Sequence, residues 1–160
     1  MLDINYIQII PFTPQLSSHF YQLNAEWLEK YFTIEPIDHE IMSHPEQKII
    51  APGGAIFFAQ FKDDIVGTCA LKQDAPGHYE LTKMAVTENH QGMHIGKQLL
   101  QYCIDEFQYR HGKILFLETN SRLTPAIHLY KKMGFVQQSA PKPGSLYQRA
   151  DVYMIWQPTV

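Results

Sequence analysis

With 160 residues, 45% of them apolar and 18% charged, the chain is long enough to bury one sizeable core and too short for two ordinary domains. Its 13 basic and 16 acidic side chains give a formal charge of −3 with no Lys/Arg run, which leaves no footprint for nucleic acid. Cys69 and Cys103 are too few for a disulfide framework, and the chain has neither a leader-like start nor about 18 consecutive apolar residues, so one cytoplasmic domain over 1–160 with no membrane partner is expected.

In chain order, Ile4 to Ile10 is apolar and β-branched and stops at Pro11, which suits a first strand. Thr13-Pro14 reads as a helix start, and Leu16, Phe20, Leu23 and Trp27 recur at helical spacing, predicting a helix over 14–31. After the break at 31–36, Asp38 is placed to cap a short second helix ending near His44-Pro45. Pro52-Gly53-Gly54 marks a turn, and 55–61 and 65–71 flank Lys62-Asp63-Asp64 as a hairpin. A further turn at 74–77 leads into a strand over 78–86, so three antiparallel strands occupy the middle of the chain. From Ile95, the residues Leu99, Leu100, Cys103, Ile104 and Phe107 share one helical face, and Arg110-His111-Gly112 closes that helix. A buried strand at 114–119, a helix from Thr124-Pro125 to Lys132, and strands at 135–138 and 151–156 complete the pattern. The strand–helix–strand run implies a right-handed crossover and parallel pairing of the strands it joins.

The stretch from Tyr79 to Lys97 organises the rest. An apolar strand ends at Val86, a polar turn follows, and Gly92 and Gly96 flank a helix start whose free N–H groups favour an anion. Neither the dinucleotide nor the P-loop glycine spacing is met. Gln91-Gly92-Met93-His94-Ile95-Gly96 instead resembles the Q/R-x-x-G-x-G/A segment of the GNAT N-acetyltransferases, with His94 where that pattern has its first glycine. Ala126-Ile127-His128-Leu129-Tyr130 through Gly134-Phe135 is similar to the A-x-x-L-Y-x-x-x-G-F signature of the same family.

That resemblance implies an α+β fold of α/β/α layers: a mixed, mostly antiparallel sheet of six to seven strands, splayed between the fourth and fifth, with about four helices. It implies acetyl-CoA as cosubstrate and no metal, and a primary amine of a small molecule or peptide as acceptor. It is compatible with a homodimer. By this resemblance the backbone of Met84, Ala85 and Val86 pairs with the pantetheine arm, and an N–H there can meet the thioester oxygen. The amides of Gln91, Gly92, Met93, His94, Ile95, Gly96 and Lys97 take the pyrophosphate, and Asn120 bonds the cofactor or, equally, forms a turn before Ser121.

The acceptor amine has a reference pKa near 10.4, so something must take its proton. Glu80 is the candidate base, sharing a face with Thr82 and Met84 by strand periodicity; the plainer alternative is an exposed carboxylate in a cross-strand ion pair. Tyr130 is the candidate acid for the departing thiolate, against the alternative of a packed helix tyrosine. Trp27, Tyr31 and Phe32 are candidate walls of an acceptor pocket, and His90 with His94 lacks a third metal ligand. A non-catalytic acyl-CoA-binding or sensor domain is the alternative function, and His94 motivates it, because a histidine in a positive-φ position is strained.

Overall fold

The computed structural model of the chain describes residues 6–158. Its elements are β1 (Gln8–Pro11), α1 (Ser17–Tyr31), α2 (Pro36–Ser43), β2 (Ala55–Phe61), β3 (Asp64–Ala75), β4 (His78–Val86), α3 (Ile95–Tyr109), β5 (Ile114–Thr119), α4 (Thr124–Lys132), β6 (Phe135–Gln137) and β7 (Val152–Trp156). The strands form one sheet in the order β1-β2-β3-β4-β5-β7-β6. Neighbours are antiparallel except β4 and β5, which the intervening α3 forces to run parallel. The expected mixed, mostly antiparallel α+β sheet is therefore present, with four α-helices among the described residues.

Strand periodicity divides the core in two. On β2, Phe57 and Ala59 meet Leu99, Leu100 and Cys103 of α3, while Ile56 and Phe58 meet Phe20, Leu23 and Leu28 of α1 with Ile41 and Met42 of α2. The sheet thus lies between two helical layers, and burying a Phe such as Phe58 contributes about 2–3 kcal/mol. No helix among the described residues is long and apolar enough to cross a membrane.

Several boundaries differ from expectation. β1 extends through Pro11, which an edge strand tolerates because β1 pairs only with β2; Ile4 and Asn5, assigned to this strand from sequence, lie outside the described residues. Pro14–Leu16 is a tighter 3-10 turn before α1. Glu35 rather than Asp38 caps α2: Asp38 sits at the third helical position, and its Oδ2 accepts the Glu35 N–H at 2.9 Å. The helix still stops at Ser43, before His44-Pro45, and a wide π turn at Glu46–Ile50 follows that no sequence pattern announced. β3 reaches Ala75, which pairs with His78, so only Pro76-Gly77 remains as the turn. At the end of α3 the left-handed residue is His111 (φ 57°), not Gly112; glycine is required at 112 because a Cβ would lie 2.2 Å from the Phe107 ring.

Candidate active site

The site begins where β4 and β5 part. Their pairing covers His78, Tyr79 and Glu80 against Ile114, Leu115 and Phe116, and beyond Glu80 the β5 side of β4 has no strand partner. A bulge causes the departure. Thr82 faces Ala70 and Ala85 faces Thr68, so Lys83 and Met84 together oppose Cys69, and Lys83 adopts φ 55°. An extra residue in one strand bends it and sharpens its twist.

The same bulge resets the side chains. Tyr79, Leu81 and Met84 pack with the α3 core, whereas Ala85 packs with α1 and α2. The expected common face of Glu80, Thr82 and Met84 is therefore broken after Thr82, because one inserted residue reverses the alternation. Lys83 turns toward α2 instead.

The parting strands leave a cavity of about 90 Å³ that crosses the sheet. Glu80 lines it together with Glu118 of β5, Trp27 of α1, Phe32, Tyr130 of α4 and Tyr147. Tyr31 does not line it and is exposed. Glu80 is only 8% exposed, and its carboxylate makes no hydrogen bond or ion pair among the described residues, so the exposed cross-strand pair considered from sequence is not formed. Burial, with the Glu118 carboxylate adding to it, pushes the Glu80 carboxyl up to about 7. Burial likewise raises the Tyr130 phenol well above its ordinary value, so it stays protonated across the physiological range. Its hydroxyl has no partner among the described residues and is not sealed from solvent.

Beside Glu80 lies an ionic cluster. Asp38 is fully buried and accepts Lys83 Nζ at 2.6 Å on Oδ1 and both terminal nitrogens of Arg149 at 2.6 and 2.8 Å. Glu35 accepts the backbone N–H groups of Gln148 and Arg149 and the Arg149 side chain at 3.2 Å, so α2 and the loop before β7 are tied together. Burial opposes ionisation of Asp38, but Arg149 and Lys83 outweigh it and hold its carboxyl at about 2. Burial lowers the Lys83 ammonium, which Asp38 partly restores. The Tyr147 ring packs against both cations, its centre 4.8 Å from Lys83 Nζ and 5.0 Å from the Arg149 guanidinium carbon. None of Lys83, Glu35, Arg149, Tyr147 and Glu118 was singled out from sequence. The available signal was Lys83 itself, a charge at the centre of an otherwise apolar strand face.

At the far end of β4, the N–H groups of Gly92, Met93, His94, Ile95, Gly96 and Lys97 find no carbonyl among the described residues; the first helical bond runs from Gln98 N–H to the His94 carbonyl at 3.1 Å. A Cβ on Gly92 would meet nothing within 4 Å, and one on Gly96 only Leu129, at 3.9 Å. An unobstructed run of free amides at a helix N-terminus fits a pyrophosphate. On β4, Thr87 N–H donates to the Val66 carbonyl, so ladder alternation spends the polar groups of Ala85 on Thr68 and turns those of Val86 to the open edge. There the Val86 carbonyl accepts the Gln91 side-chain amide at 3.2 Å, a bond that an amide-bearing ligand would exchange for its own. Asn120 forms a turn: its amide donates to the Arg149 carbonyl at 2.7 Å and its oxygen accepts Arg122 N–H at 2.9 Å, leaving it engaged by the chain itself.

His94 occupies the left-handed region, with φ 61° and ψ 22°. The backbone at the first glycine position of the motif thus does require positive φ, and histidine bears a strain of roughly 1–2 kcal/mol there. His94→Gly is expected to stabilise the fold by up to about 1 kcal/mol after glycine's larger unfolded-state entropy is subtracted. A thermal melt should show a rise of a few degrees, with ligand binding at the turn undiminished.

The profile of the Acetyltransferase (GNAT) family matches residues 19–135. The fold and this match define the class: the chain belongs to the GNAT acetyltransferase family. It is 33% identical over 104 residues to an uncharacterised N-acetyltransferase of Bacillus subtilis (strain 168), covering 59% of this chain and 69% of that one. A GNAT-family acetyltransferase structure from Staphylococcus aureus MU50 superposes with a TM-score of 0.84 at 20% identity, over 94% of this chain and 98% of that one. A Salmonella typhimurium structure containing its cofactor acetyl-CoA superposes with a TM-score of 0.76 at 15% identity, over 94% and 93% of the two chains.

Proposed function

We propose that the chain is a single N-acetyltransferase domain, acting in the cytoplasm, that moves an acetyl group from acetyl-CoA directly to a primary amine of a small molecule or peptide. The observation that carries this reading is Glu80: a residue nine-tenths buried whose carboxyl group, without a protein partner, opens on the cavity and is raised to about 7, beside an open strand edge. A domain that only bound acyl-CoA would gain nothing from that arrangement, which costs stability.

When bound, acetyl-CoA supplies an activated acyl group on a thiol leaving group. The free amides from Gly92 to Lys97 hold its pyrophosphate, helped by the α3 dipole, and Met84 and Val86 offer the edge along which its amide-bearing arm lies. Glu80, poised near neutral pH, takes a proton from the acceptor ammonium or from a water bonded to it. Tyr130, protonated and unpartnered, gives a proton to the departing sulfur. Trp27 and Phe32 supply apolar walls that exclude water. Asn120 acts at one remove, by holding the turn that carries Arg149.

Free-thiol release from acetyl-CoA in the presence of a panel of amines tests this reading. Tyr130→Phe is expected to lower turnover roughly 100-fold while leaving acetyl-CoA affinity, read by calorimetry, unchanged. Cofactor binding without turnover on any amine would reject the transferase in favour of the sensor.

A further inference from the structure

Glu80 does not stand alone. Glu118 lies two residues beyond Phe116, the register partner of Glu80, and so shares its face across the point where the strands separate. The ion pairs of the described residues all employ other carboxylates, and Glu118, like Glu80, takes no hydrogen bond. The nearby cations are already engaged: Lys83 by Asp38, and Arg149 by Asp38 and Glu35. Lys72 and Lys142 line the adjoining wall, yet neither comes within 4.0 Å of either carboxylate. Two carboxyl groups without an ion-pair partner are thus left to face whatever enters, and an entering cation favours the ionised form of Glu80 over the protonated one.

Both carboxylates also line a second cavity, of about 360 Å³, beneath the loop that carries Lys142 to Tyr147. Its inner wall includes Ile37, Ile41 and Phe116. Glu80, Glu118 and Tyr147 wall both cavities, so a linear molecule in either one reaches the carboxyl pair, with an apolar stem along one wall. Burying an isolated carboxylate is costly, and a ligand carrying a matched positive charge at each oxygen pair removes that cost.

We propose that the acceptor is an aliphatic diamine, one nitrogen held at Glu80 for reaction and the second held as an ammonium by Glu118. This rests on the transferase reading and narrows its substrate class. The ammonium at Glu80 gives one proton to that carboxylate, and its nitrogen bonds to the acetyl carbon as the thioester C–S bond breaks. Tyr130 protonates the sulfur so that it leaves as a thiol, and the second proton shed by the new amide nitrogen restores Tyr130. The nitrogen at Glu118 keeps its proton throughout.

Calorimetry on the full chain with putrescine and cadaverine, their matching monoamines and the matching ω-amino acids tests the inference. At least one diamine is expected to bind about tenfold or more tightly than its monoamine, with the amino acid weakest because its carboxylate faces Glu118. Glu118→Gln, an isosteric change at a half-buried side chain with no partner to lose, should bring the diamine-to-monoamine ratio close to unity. A wild-type protein that binds each monoamine as well as its diamine overturns the inference, whatever the variant does. Thiol release with the same ligands separates the two readings. Acetylation without diamine preference removes only the diamine, whereas diamine-selective binding with no thiol released keeps the site and removes the transferase.

Discussion

Glu80→Gln is expected to be nearly inactive and more stable than the parent protein at the same time. The loss follows from removing the group that takes the acceptor proton, an effect of roughly 10²–10⁴ in turnover. The pH profile should report the same group. In the parent, kcat/KM rises as pH passes through about 7, where the Glu80 carboxyl ionises, and this limb disappears in the variant. The stability gain follows by linkage. Burial raises the folded-state value from 4.5 to about 7, so the folded protein resists an ionisation that the unfolded chain undergoes freely. Stability is therefore lost as pH rises from about 4.5 to 7, and the full penalty, on the order of 3 kcal/mol, stands above pH 7. Glutamine carries no such penalty. Urea unfolding should find the variant more stable than the parent at pH 8 and about equal to it at pH 4. A structural carboxylate would give the opposite result, since losing a stabilising partner lowers stability at pH 8. A variant that is both stable and active at pH 8 would remove Glu80 from the mechanism.

Much of this fold was legible because its signals are local. The Lys62-Asp63-Asp64 turn, the helical spacing from Leu99 to Phe107 and the free helix start after Val86 are each set by a few adjacent residues, and the structure places a hairpin, α3 and an open amide turn there. The parting of β4 and β5 came from family resemblance rather than from any pattern, because it depends on how a bulge at Lys83 bends one strand against another. That bulge also explains why period-two reasoning put Met84 on the wrong face. The ionic cluster was hidden for a different reason: Lys83 is 45 positions from Asp38, and Arg149 is 111 positions away, so nothing local links them. Sequence points to Asp38 as the cap because the actual N-cap, Glu35, carries an acid where a capping box usually has a hydroxyl, while Asp38 keeps the usual place of the acid at the third helical position. The charge inside an apolar strand face was the one clue, and it called for a buried counter-ion somewhere in the chain.

Asp38→Asn should therefore be strongly destabilising for so conservative a change. The carboxylate receives Lys83, Arg149 and the Glu35 N–H while wholly buried, and its removal leaves Lys83 without a counter-ion in a poorly solvated interior and Arg149 with Glu35 alone. Breaking such a pair typically costs about 3–5 kcal/mol, which for a domain of this size lowers the melting temperature by roughly 10 °C or more. Adding Lys83→Met to Asp38→Asn should recover part of the loss, because the more deeply buried cation is gone while Arg149 keeps Glu35. The acid limit gives an independent check. A carboxyl lowered from 3.8 to about 2 contributes stability that is complete above pH 3.8 and lost as pH falls through about 2, worth on the order of 2 kcal/mol. The parent should lose this increment between pH 4 and pH 2, and Asp38→Asn should not, so their stabilities converge as acid is added. Because the same aspartate anchors α2, the bulge of β4 and the loop bearing Tyr147, the variant should also loosen the wall of the cavity, raising KM for the amine more than it lowers kcat. Equal stability of the two proteins at pH 7 would mean that Lys83 and Arg149 find other partners, and the cluster would then hold nothing in place.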